Sequence, residues 1–190
     1  MIIIMTELLK TIKLKKQNIS NRPFVIAIDG RCACGKTTLA TELSKELHCD
    51  IIHMDDFFLP PELRTKKRYS TPGGNVHFER FETEVIPNLK KNGSFSYRIF
   101  DCSVMSYGKQ QKVCCQDYII VEGSYSHSPL MSDYADMKIF VTASAETQRK
   151  RIELRNKEKA EMFFSKWIPL EEEYFKKLEI QEKADVIINT

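Results

Sequence analysis

The sequence predicts an α/β fold, a doubly wound parallel sheet in three layers, and three observations carry that prediction. Short unbroken apolar runs alternate with stretches of helical periodicity. The first buried run is followed at once by a glycine-rich turn that opens a helix. No internal repeat or low-complexity stretch interrupts the alternation.

That first run, Phe24 to Ile28, has the continuous apolar character of a strand buried on both faces, as parallel sheets require. Beyond it, Gly30, Gly35, Lys36 and Thr37 fit G-x-x-x-x-G-K-[ST], the Walker A spacing, between a strand and a helix. Phosphate oxygens need several backbone N–H donors converging on one point, and glycines let the chain curl to supply them. The loop therefore nominates Gly30, Arg31, Cys32, Ala33, Cys34, Gly35, Lys36, Thr37 and Thr38 for nucleotide binding. Lys36 brings a charge to the outer phosphates, and the Thr37 hydroxyl suits Mg²⁺. A turn that binds nothing is the bland alternative.

A chain of 190 residues suffices for one domain, read as 1–190, with 42% hydrophobic and 29% charged residues. The net charge of +3 gives no bulk attraction for nucleic acid. Met1 to Met5 is apolar but too short for a membrane span and lacks a signal-peptide pattern, so a cytoplasmic, membrane-free protein is expected. The six cysteines form no C-x-x-C pair and no disulfide framework, which reads as reduced thiols. Whether the chain forms a homo-oligomer stays open.

The remaining elements follow in order. Residues 6–17 form an amphipathic helix with Leu8, Leu9 and Ile12 inward and lysines outward. The helix after the loop carries Leu39, Leu43 and Leu47, and Ile51 to Met54 is a second strand. Asp55 and Asp56 follow it directly, where a catalytic base would sit beside a phosphate loop. Residues 60–75 are irregular and hold a basic run, Arg64, Lys66, Lys67 and Arg68, either a solvated face or a loop covering substrate. Glu79 to Lys91 reads as a helix that Pro87 kinks or restarts.

Ser94 to Phe100 reads as a strand that places Tyr97, Arg98, Phe100 and Asp101 close together, either as aromatics for a base and a carboxylate for ribose hydroxyls or as ordinary surface groups of a strand. Tyr118 to Val121 is a buried strand closed by Glu122, which could hold Mg²⁺ or its water. Met137 to Val141 is another. Residues 147–159 hold six basic side chains and only Ile152 and Leu154 as aliphatics, either an arginine-rich lid in which Arg151 and Arg155 can swing over phosphates or a solvated helix. A final helix carries Leu170, Tyr174 and Leu178, with Glu172–Lys176 and Glu173–Lys177 spaced for pairing, before a last strand at Asp185 to Ile188.

From Phe24 to Ile188 the residues resemble the uridine kinase and nicotinamide riboside kinase branch of the phosphate-loop nucleoside kinases, a group that includes phosphoribulokinase. IDGRCACGKTTLA, HMDDFF, YIIVEG and TQRKRIELRN carry the resemblance. It implies a nucleoside-kinase-like P-loop fold and a transferase that uses ATP and Mg²⁺ on a primary hydroxyl of a nucleoside-like small molecule, uridine or cytidine first. By the same resemblance Asp55 is the catalytic aspartate, Glu122 the acid of E-G, and Arg151 and Arg155 the lid arginines. Asp101 stands at the substrate aspartate with Phe100 before it, and Asn75-Val76-His77 stands where the family carries N-F-D-H-P, which puts His77 at the acceptor. Nicotinamide riboside and phosphorylated sugars are alternative acceptors. A nucleotide-binding regulatory switch is the alternative outside the enzymes.

Overall fold

The computed structural model describes residues 2–155 and 157–190. Met1, which begins the apolar opening, and Asn156, inside both the 147–159 stretch and the TQRKRIELRN motif, lie outside the described residues.

Among the described residues seven strands form two sheets. The main sheet is five parallel strands, β1 (Phe24–Gly30), β2 (Ile51–His53), β5 (Tyr118–Glu122), β6 (Met137–Thr142) and β7 (Val186–Asn189), in the order β2-β5-β1-β6-β7. β3 (Gly93–Asp101) and β4 (Ser106–Cys115) pair separately as an antiparallel hairpin. The unbroken apolar run of β1 has its expected cause, since its alternate residues enter two cores. Val25 and Ala27 pack in one with Ile52, Ile119, Val121 and Phe140. Phe24, Ile26 and Ile28 pack in the other with Leu8, Ile12, Leu43 and Ile139. Burying each such aliphatic contributes about 1.5–3 kcal/mol.

Helices α1 (Ile2–Lys16) and α2 (Lys36–Leu47) cover the second core. α2 buries Ala40, Leu43 and Leu47 and ends at His48, whose left-handed φ of 50° closes the helix. After β2 the chain does not continue extended. Met54–Phe57 is a 3₁₀ turn carrying both aspartates.

Two prolines produce the same device twice. α3 (Lys66–Tyr69) precedes a helical stretch made of α4 (Phe78–Arg80), a π turn at Phe81–Val85 and α5 (Ile86–Leu89), in which Pro87 occupies the first turn of α5. A proline there lacks the N–H that the preceding turn would need, so the helix widens and restarts, as the sequence predicted. α6 (Ala145–Arg155) and α7 (Ala160–Met162) lead to a second π turn, Phe163–Trp167, and then to α8 (Ile168–Leu178), with Pro169 in its first turn.

Several expectations change. Ser94–Phe100 is one arm of a hairpin whose second arm, β4, the sequence pattern did not announce, because only Val113 and Cys115 of that strand are fully buried. A bulge between Arg98 and Phe100 resets the alternation, so Tyr97 and Phe100, three residues apart, are both buried. α6 is not free of the core either. Ile152 and Gln148 are buried on it, while Leu154 is 90% exposed.

Candidate active site

The carboxyl ends of β1, β2 and β5 meet at one crevice, because β5 lies between the other two in register, with Ile28 beside Glu122 and Glu122 beside His53. This is where open α/β sheets place ligands. Gly30 ends β1 with φ of 137°, and a Cβ there would lie 2.0 Å from the Val141 carbonyl oxygen, so only glycine lets the loop leave the sheet. Gly35, at φ 91°, turns the loop into α2.

Lys36 is buried and its Nζ donates to the carbonyls of Gly30 at 2.7 Å and Arg31 at 3.0 Å. An ammonium held this way inside the loop sits beside the N-terminus of α2 and adds its charge to the helix dipole. Thr37 and Thr38 are exposed on the first turn of α2. The Thr37 hydroxyl lies 3.3 and 3.4 Å from the two carboxylate oxygens of Glu122, which is 5% exposed. A hydroxyl and one carboxylate are the oxygen donors that a small hard cation takes from a protein when phosphates fill its remaining positions. His53 Nδ1 contacts the same Glu122 at 2.6 Å, and that hydrogen bond raises the imidazole above its usual range.

Asp55 and Asp56 diverge on their 3₁₀ turn. Asp55 faces the crevice, open to solvent at its surface but crowded by protein, and burial followed by the charge of Glu122 pushes its carboxyl up. Asp56 accepts the Tyr97 hydroxyl at 2.7 Å, which ties the hairpin to the turn, and the Tyr97 ring packs on Phe57 at 5.0 Å. His77 donates its backbone N–H to the Phe57 carbonyl at 2.6 Å, and its Nδ1 lies 3.4 Å from the Tyr107 hydroxyl. Burial lowers its imidazole. Tyr97, Phe100 and His77 thus gather on the hairpin side of the crevice. Asp101 does not join them. It is exposed and accepts the Ser103 N–H at 2.7 Å and hydroxyl at 2.6 Å, capping the hairpin turn. Arg98 points outward, stacks on Tyr107 and faces Glu84 at 3.8 Å.

The loop side chains have other work. Arg31 forms a bidentate pair with Glu172, 2.6 and 2.9 Å, and its second arm reaches Thr142 and Gln181. Its guanidinium is therefore committed to α8, and Glu172 is not paired with Lys176 as its spacing suggested, whereas Glu173–Lys177 forms. Burial pushes the Cys32 thiol up to about 12, and that of Cys34 upward too, so neither is a thiolate. Arg151 Nη1 reaches the Ala33 carbonyl at 3.4 Å and the Thr190 hydroxyl at 2.8 Å, lying against the loop, while Arg155 is exposed at the end of α6. The Cys34 carbonyl accepts the same Thr190 hydroxyl at 3.0 Å.

Sequence reasoning missed two buried carboxylates that hold the loop. Asp29, fully buried, accepts four donors: its own neighbour's N–H at Gly30, the N–H of Tyr125 and of His127, and the Tyr174 hydroxyl. Glu171 of α8 accepts the N–H of Cys32 and the hydroxyl of Ser124. An aspartate directly after the apolar run, still within β1, was a visible signal, since a charge buried in a strand needs partners. Nothing in the pattern of α8 marked Glu171 among three consecutive glutamates.

The chain also matches known proteins. The family described as AAA domain matches residues 26–177. A pantothenate kinase of Streptococcus agalactiae is 29% identical over 156 residues, covering 70% of this chain and 49% of the relative. Uridine kinase-like protein 4 of Arabidopsis thaliana is 27% identical over 146 residues, covering 71% of this chain and 30% of the relative. This chain thus spans half or less of those relatives' length. A solved structure of a possible uridine kinase from Bacillus stearothermophilus superposes with a TM-score of 0.67 at 20% identity, covering 96% of this chain and 99% of that one. The central parallel sheet with its flanking helices is the phosphate-loop kinase fold. Among the described residues no helix is long and apolar enough to cross a membrane.

Proposed function

This chain belongs to the AAA domain family, and from that premise we propose that it is a kinase that moves the γ-phosphoryl group of ATP, bound with Mg²⁺, to a primary hydroxyl of a small nucleoside-like acceptor. The observation that carries the reading is the convergence of Lys36, Thr37 and Glu122 with Asp55 at the carboxyl ends of three parallel strands. Phosphoryl transfer asks chiefly for in-line positioning and neutralisation of charge.

In this reading the loop N–H groups and Lys36 hold the β- and γ-phosphates, and Thr37 and Glu122 are the residues that would hold Mg²⁺, which would draw charge from the phosphate oxygens. Asp55 orients the acceptor hydroxyl and takes its proton. Its raised carboxyl is a better base than that of an ordinary aspartate. Arg151, already against the loop, and Arg155 approach the transferred group from the 147–159 lid. His77 lies on the acceptor side, with Tyr97 and Phe100 packed behind it.

Uridine and cytidine head the acceptor panel, with nicotinamide riboside, phosphorylated pentoses and pantothenate beside them. The test is ADP release by the purified chain with Mg-ATP against that panel. Acceptor-dependent ADP release supports the reading. Hydrolysis at the same rate with and without every acceptor counts against it.

A further inference from the structure

Four arginines stand near the acceptor side, and three of them face carboxylates. Arg68 forms a bidentate pair with Glu79, 2.6 and 2.7 Å, and Arg80 another with Glu84, 2.8 and 2.9 Å. Arg98 lies near Glu84 as well. Arg64 differs. It is half-buried, and among the described residues no carboxylate comes within ion-pair distance of it. Its Nε donates to the Leu59 carbonyl at 2.9 Å, and its Nη2 reaches the Met105 thioether at 3.3 Å, a weak acceptor. A guanidinium carries five donors in a planar fork, so this one keeps donors to spare in a fixed place.

Leu59 lies four residues after Asp55, and Met105 is in the turn between β3 and β4, so Arg64 bridges the segment that follows the aspartate turn and the hairpin turn. The Cys102 thiol in the same hairpin turn hydrogen-bonds Arg64 and feels the charges of both Arg64 and Asp55, so the two groups act on one thiol.

The groups that would recognise neutral sugar hydroxyls are scarce here. Asp101 turns one carboxylate oxygen to the hairpin turn, and Asn75-Val76-His77 carries no carboxylate. The crevice floor already holds Asp55, Asp56 and Glu122. An acidic group on an acceptor would be repelled by that floor unless a cation met it at the far end. The geometry points to an acceptor that bears a carboxylate or phosphate in addition to its primary hydroxyl, with Arg64 as the residue that binds the anion through a bidentate contact. This rests on the kinase reading and narrows its acceptor class.

Matched acceptors test it, each pair sharing one primary alcohol: uridine against orotidine, uridine against uridine 3′-monophosphate, and pantothenol against pantothenate. For at least one pair kcat/KM favours the anionic member by about tenfold or more. The carboxylate and phosphate arms identify which anion is read. Arg64→Gln lowers that anionic-to-neutral ratio about tenfold, chiefly through KM, and Arg64→Lys recovers part of it. A wild type that prefers the neutral member of every pair overturns the inference while leaving the kinase intact, and this arm needs no variant to fold. An unchanged ratio in a folded Arg64→Gln overturns it as well. If no acceptor of either kind raises ADP release, the kinase reading fails and the inference falls with it.

Discussion

Glu171 Oε2 accepts the backbone N–H of Cys32 at 2.9 Å, so a helix near the end of the chain satisfies the middle of the phosphate loop. Its Oε1 accepts the Ser124 hydroxyl at 2.7 Å, two residues beyond Glu122, and one buried carboxylate thereby ties the loop to the end of β5. Burial raises this carboxyl, an effect that the nearby charge of Lys36 opposes. Glu171→Gln keeps the volume but can no longer accept at both positions, and turnover should fall roughly tenfold, consistent with one lost charge-assisted hydrogen bond. The pH dependence has a definite sign. A carboxyl raised in the folded state contributes stability that is fully present below its unfolded value and is lost as pH rises through the folded value. The wild type's advantage in Tm over Glu171→Gln should therefore shrink upward from the ordinary glutamate value of 4.5. Thermal melts of both proteins across that range check it. An advantage that grows with pH would refute the assignment.

How much of this was visible in the sequence depended on the range of the interaction. The parallel sheet, the loop and the restart at Pro87 rest on local patterns, an apolar run, a spacing, a missing N–H, and all three stand in the structure. The partners of the loop do not. Arg31 and Cys32 meet Glu172 and Glu171 across about 140 residues of sequence, and no periodicity in α8 distinguishes glutamates that face a loop from those that face water. Asp101 misled for the opposite reason. Its motif position suggested substrate, while a serine two residues on offered a turn cap that short-range geometry satisfies first.

Gly30 limits what the loop tolerates. With φ at 137° and the Val141 carbonyl oxygen 2.0 Å from where a Cβ would stand, Gly30→Ala meets both backbone strain and a backbone clash. A loss of about 3 kcal/mol or more follows, on the order of the severest single substitutions. Chemical denaturation measures it, and a change under about 1 kcal/mol would mean that β1 and β6 separate there more easily than the register implies.

Lys36 carries the phosphate-loop charge. Lys36→Ala should lower turnover at least about a hundredfold, roughly 2.7 kcal/mol, because its charge matters most as the γ-phosphoryl leaves. Near-normal turnover in a folded variant removes the loop from the mechanism.

Arg151 and Arg31 make a contrast on two sides of the same loop. Arg31 is held by Glu172 and stacks near Phe140 and Phe175, so Arg31→Ala should lower Tm by several degrees, through about 1–3 kcal/mol of lost pairing and packing. Arg151 has one hydroxyl and one long carbonyl contact, so Arg151→Ala should leave Tm nearly unchanged and reduce turnover. Arg155, exposed beyond it, should behave like Arg151. The reverse pattern, a stable Arg31→Ala and an unstable Arg151→Ala with normal turnover, would exchange their roles.

The two aspartates of the 3₁₀ turn give the sharpest division of labour. Asp55 opens on the crevice near Glu122 and Lys36, whereas Asp56 receives the Tyr97 hydroxyl and holds β3. Their separation does not come from an extended chain that alternates its side chains. It comes from the tight turn Met54–Phe57, whose roughly three residues per turn send neighbouring side chains about 120° apart. Asp55→Asn is nearly isosteric and a poor base, so nucleotide binding should persist while acceptor phosphorylation drops by about a hundredfold or more. Asp56→Asn still offers an oxygen to Tyr97, so turnover should fall only a few-fold, and the loss should appear in the acceptor KM because the hairpin has loosened. Steady-state phosphorylation of the best acceptor, alongside calorimetric ATP binding, separates the two. Greater damage from Asp56→Asn would shift the base by one residue, and indifference to both with intact ATP binding would leave a nucleotide-binding protein without this chemistry.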